Sequence, residues 1–273
     1  MASFVTRLFG GRWAGQAPAD PPALTDAVAV APAGAPLPSA VATPDPDDPY
    51  VRNRIFVGEH RVTDEAELPE GVKVSFQKRS TGNLVRLSPD GKYRGVVINL
   101  GSAIDCTIEI GAIRVNFGGV TISFVANSGR CSTNAIVRIG DASVFNGATH
   151  IIGALTPGVE VSVGRDCLFA SGITLRGSSH HGLWDKQTGE LLNPEEGLRV
   201  GDHVWVGDQV VMLNKASIAA GCVVAARSIV NKPFDEEDSM LAGAPAKVRR
   251  SGVAWTHEFP ADNGEQPRDL PLD

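Results

Sequence analysis

The sequence predicts an all-β solenoid, a prism built from short parallel strands. Three observations predict it. The first is a period of six: Val200, Val206, Met212, Ile218, Val224 and Val230 share one phase. Two positions before each stand Leu198, Val204, Val210, Ala216, Cys222 and Ser228, all apolar or small. The second is alternation of apolar and polar residues, as in Val72-Lys73-Val74-Ser75-Phe76 and Val120-Thr121-Ile122-Ser123-Phe124. The third is the lack of any long amphipathic helical pattern, which excludes a doubly wound α/β fold. A hexad is one short strand plus a turn. Three hexads close a triangular coil of roughly 18 residues, with the in-phase side chains stacked inside and small residues at the corners.

Taken in chain order, residues 1–49 are a different material. They hold twelve Ala and nine of the 18 Pro, with no strand or helix period, and are read as a disordered leader. Its first part carries Phe4, Arg7, Leu8, Phe9, Arg12 and Trp13 with no acid before Asp20, which suits a weakly docking or membrane-touching peptide or a frayed terminus. Residues 50–95 are expected to be an irregular β cap, 96–235 the β-helix, and 236–273 a C-terminal segment. Upstream the hexads are ragged around Leu100-Gly101 and Ile110-Gly111. They then run cleanly through Ile139, Phe145 and Ile151, and through Val163, Phe169 and Leu175. They break at 177–197 before resuming at Val200, and an excursion from a regular coil is where a solenoid places function.

Composition narrows the function classes. With 42% hydrophobic residues in 273, the chain as a whole is too apolar to be disordered. A net charge of −6 argues against nucleic acid as a partner. No run of 18 uncharged apolar residues occurs, so no spanning helix is expected and the protein is read as cytoplasmic. Cys106, Cys131, Cys167 and Cys222 lie far apart without a C-x-x-C and read as small buried hydrophobes in a reducing compartment.

Three stretches resemble the hexapeptide-repeat acyltransferases, most closely the bacterial O-acetyltransferases of capsular and exported polysaccharides. They are the hexads from Gly140-Asp141 to Leu175, the loop Ser178-Ser179-His180-His181-Gly182-Leu183-Trp184-Asp185 with Thr188-Gly189-Glu190 and Asn193-Pro194, and the pair Val200-Gly201-Asp202-His203-Val204-Trp205-Val206-Gly207 and Ala242-Gly243-Ala244-Pro245-Ala246-Lys247-Val248-Arg249-Arg250. The resemblance covers roughly residues 95–250. It implies a left-handed parallel β-helix, acetyl-CoA as co-substrate, a sugar hydroxyl as acceptor, and a homotrimer with the site between subunits. The chain departs from the pattern at Ser179, where the family has Asp, and at Ala244, where it has Asn.

Acyl transfer from a thioester to a hydroxyl needs a base, donors for the oxyanion and a groove that aligns both substrates. Imidazole suits the base role. Alignment through Leu183-Trp184-Asp185 implies His181 as that base, with His180 as the runner-up. Asp185 either orients the imidazole or closes the D-x-x-T-G turn. His203 at a corner reads as structural. Trp205 points out of its hexad as an interface residue or an acceptor wall, and Asn146 is a weaker acceptor candidate. For the coenzyme the resemblance implies the small residues Ala225, Ala226 and Ser228, with Lys232, Lys247 and Arg250 for its phosphates. No metal is expected. A zinc lyase of the carbonic anhydrase type would need spaced histidines, and no H-x4-H occurs. A non-enzymatic scaffold would have no need of the His loop.

Overall fold

The computed structural model describes residues 45–127 and 129–259. The leader read at 1–49, with its docking peptide, therefore lies almost wholly outside the described residues, as does the end of the C-terminal segment. Three parallel sheets form the faces of a prism. A nine-stranded sheet runs from His60–Val62 through Arg54–Val57, Leu84–Leu87, Thr107–Ile110, Ile136–Ile139, Glu160–Val163, Leu198–Val200 and Ser217–Ile218 to Pro233–Phe234. A second face, of seven strands, stacks Arg114–Val115, Val144–Phe145, Leu168–Phe169, Trp205–Val206, Val223–Val224, Met240–Ala242 and Lys247–Arg250. The third, also of seven, runs from Val72–Phe76 to Ile229–Val230.

The period of six becomes geometry most simply beyond residue 197. Arg199 pairs with Ser217, Trp205 with Val223 and Val211 with Ile229, each 18 residues on. Upstream the coils are longer. Ile139 pairs with Val163 and Phe145 with Phe169, 24 residues apart, so four hexads and not three make that coil. The extra hexad, between Ile151 and Val163, is an outward corner with Gly158 at φ +76°. Turns can lengthen without disturbing the phase, because only the strand residues stack.

The stacked residues are the core. Val200, Val206, Met212, Ile218, Val224 and Val230 are all 0–1% exposed. Phe145 and Phe169 stack at 4.8 Å with 17° between their rings. Cys106, Cys167 and Cys222 are free and buried, and burial pushes the Cys106 and Cys167 thiols up to about 11. Backbone approach between coils demands glycine at Gly207, where a Cβ would meet the Ala226 nitrogen at 2.8 Å and the Val224 oxygen at 2.9 Å.

The expected irregular cap at 50–95 is instead part of the prism. Arg54–Val57, Val72–Phe76 and Leu84–Leu87 all pair in parallel with later coils. Their phase was hidden because two faces carry strands of four or more residues here, which breaks the six-residue spacing. The caps are smaller: His60–Val62 covers one sheet edge and Lys247–Arg250 another, both antiparallel. A buried amide network closes the first end, with Asn83 Nδ2 donating to Asn53 Oδ1 and to the Ala103 carbonyl, both at 2.8 Å. The segment expected from 236 likewise continues the stack through Met240–Ala242. The one α-helix, Pro49–Arg52, is a single turn, and no helix among the described residues is long and apolar enough to cross a membrane.

Candidate active site

The loop at 177–197 leaves the third face after Ile173–Arg176 and returns on the nine-stranded face at Leu198–Val200. It is a pinned hairpin. The Leu192 amide donates to the Leu183 carbonyl at 2.7 Å and the Asp185 amide to the Glu190 carbonyl at 2.8 Å. Glu195 Oε2 accepts the Leu155 and Thr156 amides at 2.8 and 2.7 Å, fixing the base of the loop to the coil below. Asn193 Nδ2 donates to the His181 carbonyl at 2.9 Å while its Oδ1 accepts the Leu183 amide at 2.7 Å. Asn193 therefore holds the backbone on both sides of Gly182, a role sequence reading left unassigned although the Asn-Pro pair was visible.

The two histidines differ. His181 is exposed. His180 is half-buried with φ +64°, its amide donating to the buried Ser178 hydroxyl at 3.0 Å. Burial, then the charge of Arg176, then His181 lower the His180 pKa, against a pull from Glu195. Of the two roles open to Asp185, the geometry fits turn closure: its Oδ1 accepts the Gln187 and Thr188 amides at 2.7 and 2.8 Å. Those amides, Thr188 foremost, hold its carboxyl below the usual range.

A second constellation lies on another face. A groove of about 440 Å³ is lined by Ala170, Trp205, Gly207, Ala225, Ala226, Met240 and Trp255, among others. It brings Trp205 together with Ala225 and Ala226, three residues singled out from sequence. The corner column beside it reads Asn116, Asn146, Ala170, Gly207 and Ala225 on successive coils, so side chains shrink where the groove opens. Asn146 lies one coil outside, and its Oδ1 accepts from Asn116 Nδ2 at 2.7 Å in an amide ladder. Arg250 pairs in register with Met240 and Lys247 with Ala242, which places the exposed basic strand at the far end of the groove. Lys232 is elsewhere, at the corner before Pro233–Phe234 with its ammonium 5.2 Å from the Phe234 ring centroid. Ser228 is a correction: it is fully buried, donating to the Ala225 carbonyl at 2.7 Å and accepting the Gly243 amide at 3.2 Å. Its hydroxyl closes the corner from inside and cannot face a ligand.

The groove lining contains neither His180 nor His181. Loop and groove stand on different edges of the prism in one chain. A wider groove of about 1140 Å³ runs along the nine-stranded face but holds none of the predicted residues. Its charges answer one another: Arg138 Nε lies 2.7 Å from Glu109 and Lys215 lies 2.7 Å from Glu196.

Trp255, Asp166 and His257 escaped the sequence reading. Trp255 is 5% exposed and stacks on His203 at 4.2 Å, and its indole donates to the His203 carbonyl at 2.9 Å. The expectation that His203 is structural fits this environment. No periodicity announces Trp255, because it lies beyond the last hexad.

No family model matches the chain. Over 96 residues it is 31% identical to a polysialic acid O-acetyltransferase of Neisseria meningitidis, covering 35% of this chain and 45% of that protein. Over 131 residues it is 30% identical to a polysialic acid O-acetyltransferase of Escherichia coli O1:K1, covering 46% and 42%. The relatives are O-acetyltransferases of the hexapeptide-repeat family. The matched stretches span less than half the length of these two relatives. Among solved structures, the polysialic acid O-acetyltransferase OatWY superposes with a TM-score of 0.51 at 17% identity, covering 77% of this chain and 90% of that one. The shared fold is the left-handed parallel β-helix of hexapeptide-repeat acetyltransferases, as the motifs implied.

Proposed function

We propose that the chain is an O-acetyltransferase that moves an acetyl group from acetyl-CoA to a hydroxyl of a polysaccharide or glycan precursor. The observation that carries the reading is the groove that unites Trp205, Ala225 and Ala226 and runs toward Lys247 and Arg250. Small corner side chains leave room for a slender arm, and cations at the end suit phosphates. When bound there, acetyl-CoA supplies an activated thioester. His181 takes the proton of the attacking sugar hydroxyl, and that proton is delivered to the departing thiolate; the new bond is the ester C–O and the broken one is C–S. Trp205 is the wall against which the acceptor ring lies.

This reading needs two copies of the chain, since the loop and the groove are on different edges. The exposed tip residues Leu183 (61%), Trp184 (59%) and Leu192 (50%) support such an assembly. So does the outward column Val144, Leu168, Trp205, Val223 and Met240, apolar on five successive coils of one face. A threefold homotrimer closes both surfaces, with His181 of one copy facing the groove of the next. The sialic acid polymers named for the relatives are the first acceptors to try.

The test is release of free thiol from acetyl-CoA with a panel of polysaccharides, alongside the mass of the chain in solution. Acceptor-dependent release by a trimer is expected. A monomer that binds acetyl-CoA weakly and acetylates no glycan in the panel would sink the reading.

A further inference from the structure

The groove has one wall that does not belong to the β-helix. Residues 251–257 leave the last strand, turn at Gly252 with φ +65°, and cross the second face, contributing Val253, Ala254 and Trp255 to the groove lining. The strap is tied at three points. The Val253 amide donates to the Asp238 carbonyl at 2.8 Å. The Trp255 indole donates to the His203 carbonyl at 2.9 Å and its ring lies flat on the His203 ring, 12° from parallel. His257 Nε2 lies 3.0 Å from Asp166 Oδ1.

His203 is the keystone of these ties. It sits at a left-handed corner position, φ +51°, one coil above Asp166, itself at φ +56°. Such positions favour Gly, Asn or Asp, so a histidine there is not explained by the turn. Its Nδ1 is 2.7 Å from Asp166 Oδ2 and its Nε2 is 3.2 Å from the Trp255 carbonyl. Both partners are acceptors, so both contacts are hydrogen bonds only when the ring carries two N–H groups. Asp166 accepts on both oxygens, from a corner histidine and from a strap histidine. The result is a buried indole held edge-on beside Trp205, their centroids 6.2 Å apart at 46°.

We infer that Trp255 is a positioning residue of the transfer reaction: the strap, locked by Asp166 and His203, sets the width of the coenzyme groove and the orientation of Trp205. The inference rests on the groove being the coenzyme site. An indole held by a stack and an indole hydrogen bond is far more ornament than a tail needs for capping, since Lys247–Arg250 already covers that edge. Its ring also separates the groove from the corner carboxylates Asp166, Asp202 and Asp238 and from Arg165, Glu258 and His257. That keeps the groove apolar for a thioester arm.

The test uses the full chain with Trp255→Ala, Trp255→Phe and Asp166→Asn. Acetyl-CoA binding is read by calorimetry, and KM and kcat by thiol release. Trp255→Ala should weaken acetyl-CoA binding and raise its KM by roughly tenfold, the worth of about 1.4 kcal/mol, with kcat changed less than the KM. Trp255→Phe keeps the stack without the indole donor and should recover most of the affinity, while Asp166→Asn should fall between them. Hydrogen exchange on the unaltered chain gives a reading independent of any variant's folding: amides 253–257 should gain protection when acetyl-CoA is added. Unchanged affinity in a folded Trp255→Ala variant, or unchanged exchange in the strap, overturns the inference while leaving the groove as the coenzyme site. Absence of acetyl-CoA binding by the unaltered chain overturns the groove reading, and this inference with it.

Discussion

Replacing His181 by alanine is the perturbation that bears most directly on the proposed chemistry. Loss of a positioned general base lowers kcat by roughly 10²–10⁴. At about 1.36 kcal/mol per decade, that is about 2.7–5.4 kcal/mol of transition-state stabilisation. The structure bounds the competing effect. The His181 side chain is exposed, and the contact Asn193 makes is with its carbonyl, which alanine retains. The stability change should stay within about 0.5 kcal/mol, as for other surface substitutions. Partial unfolding therefore cannot imitate the loss. The control is His180→Asn, because asparagine tolerates the left-handed backbone at φ +64° better than alanine does. Initial rates of thiol release at saturating acetyl-CoA, with thermal unfolding of each variant, make the comparison. Activity should fall as pH is lowered, since a protonated ring cannot take the hydroxyl proton. The shape of that fall separates the two rings: burial and Arg176 hold the His180 pKa below the ordinary imidazole value, so a His180 base would stay active to lower pH. A His180→Asn loss equal to or larger than that of His181→Ala refutes the assignment of the base. Intact turnover in both variants refutes the mechanism.

Three further outcomes are expected. Changing Lys247 and Arg250 together to Ala should raise the KM for acetyl-CoA with little change in kcat; the effect should shrink as salt is added, because both side chains are on an exposed strand. Phe169→Ala removes a fully buried ring stacked on Phe145 and should cost about 3–5 kcal/mol, read as a lowered denaturation midpoint, whereas a variant of unchanged midpoint would mean the interior is not packed as described. Because the Asp185 carboxyl is held below its usual range, its contribution to loop order is complete above the unfolded carboxylate pKa and is lost as pH falls through the lowered one; exchange of the Thr188 and Gln187 amides should accelerate there, and Asp185→Ala should show fast exchange at every pH.

Where the chain is most regular, the fold could be read residue by residue. Val200 to Val230 repeat every six positions because each in-phase side chain must enter the same narrow prism, and the coil that results has 18 residues. Residues 54–95 were harder, since strands of four or more residues and long corners shift the phase while preserving parallel pairing. The catalytic loop was legible as an interruption, and its turn chemistry at Asp185 was legible as a motif. Ser228 shows the limit. A small residue two places before an in-phase valine reads equally well as a ligand contact or an internal corner plug, and only its burial separates the two.

Sequence by itself determined the interior of the prism, the position of the loop and the residues offered for chemistry. These depend on local periodicity and side-chain type, both written along the chain. Tertiary structure alone decided what meets what. Trp205 and Trp255 are fifty residues apart in sequence and 6.2 Å apart in space, joined through a corner histidine and an aspartate one coil away. His181 and Trp205 are only 24 residues apart in sequence, yet they stand on different edges. A solenoid advances one face every hexad and one coil every third. Proximity in it follows face and coil, and separation along the chain does not measure it.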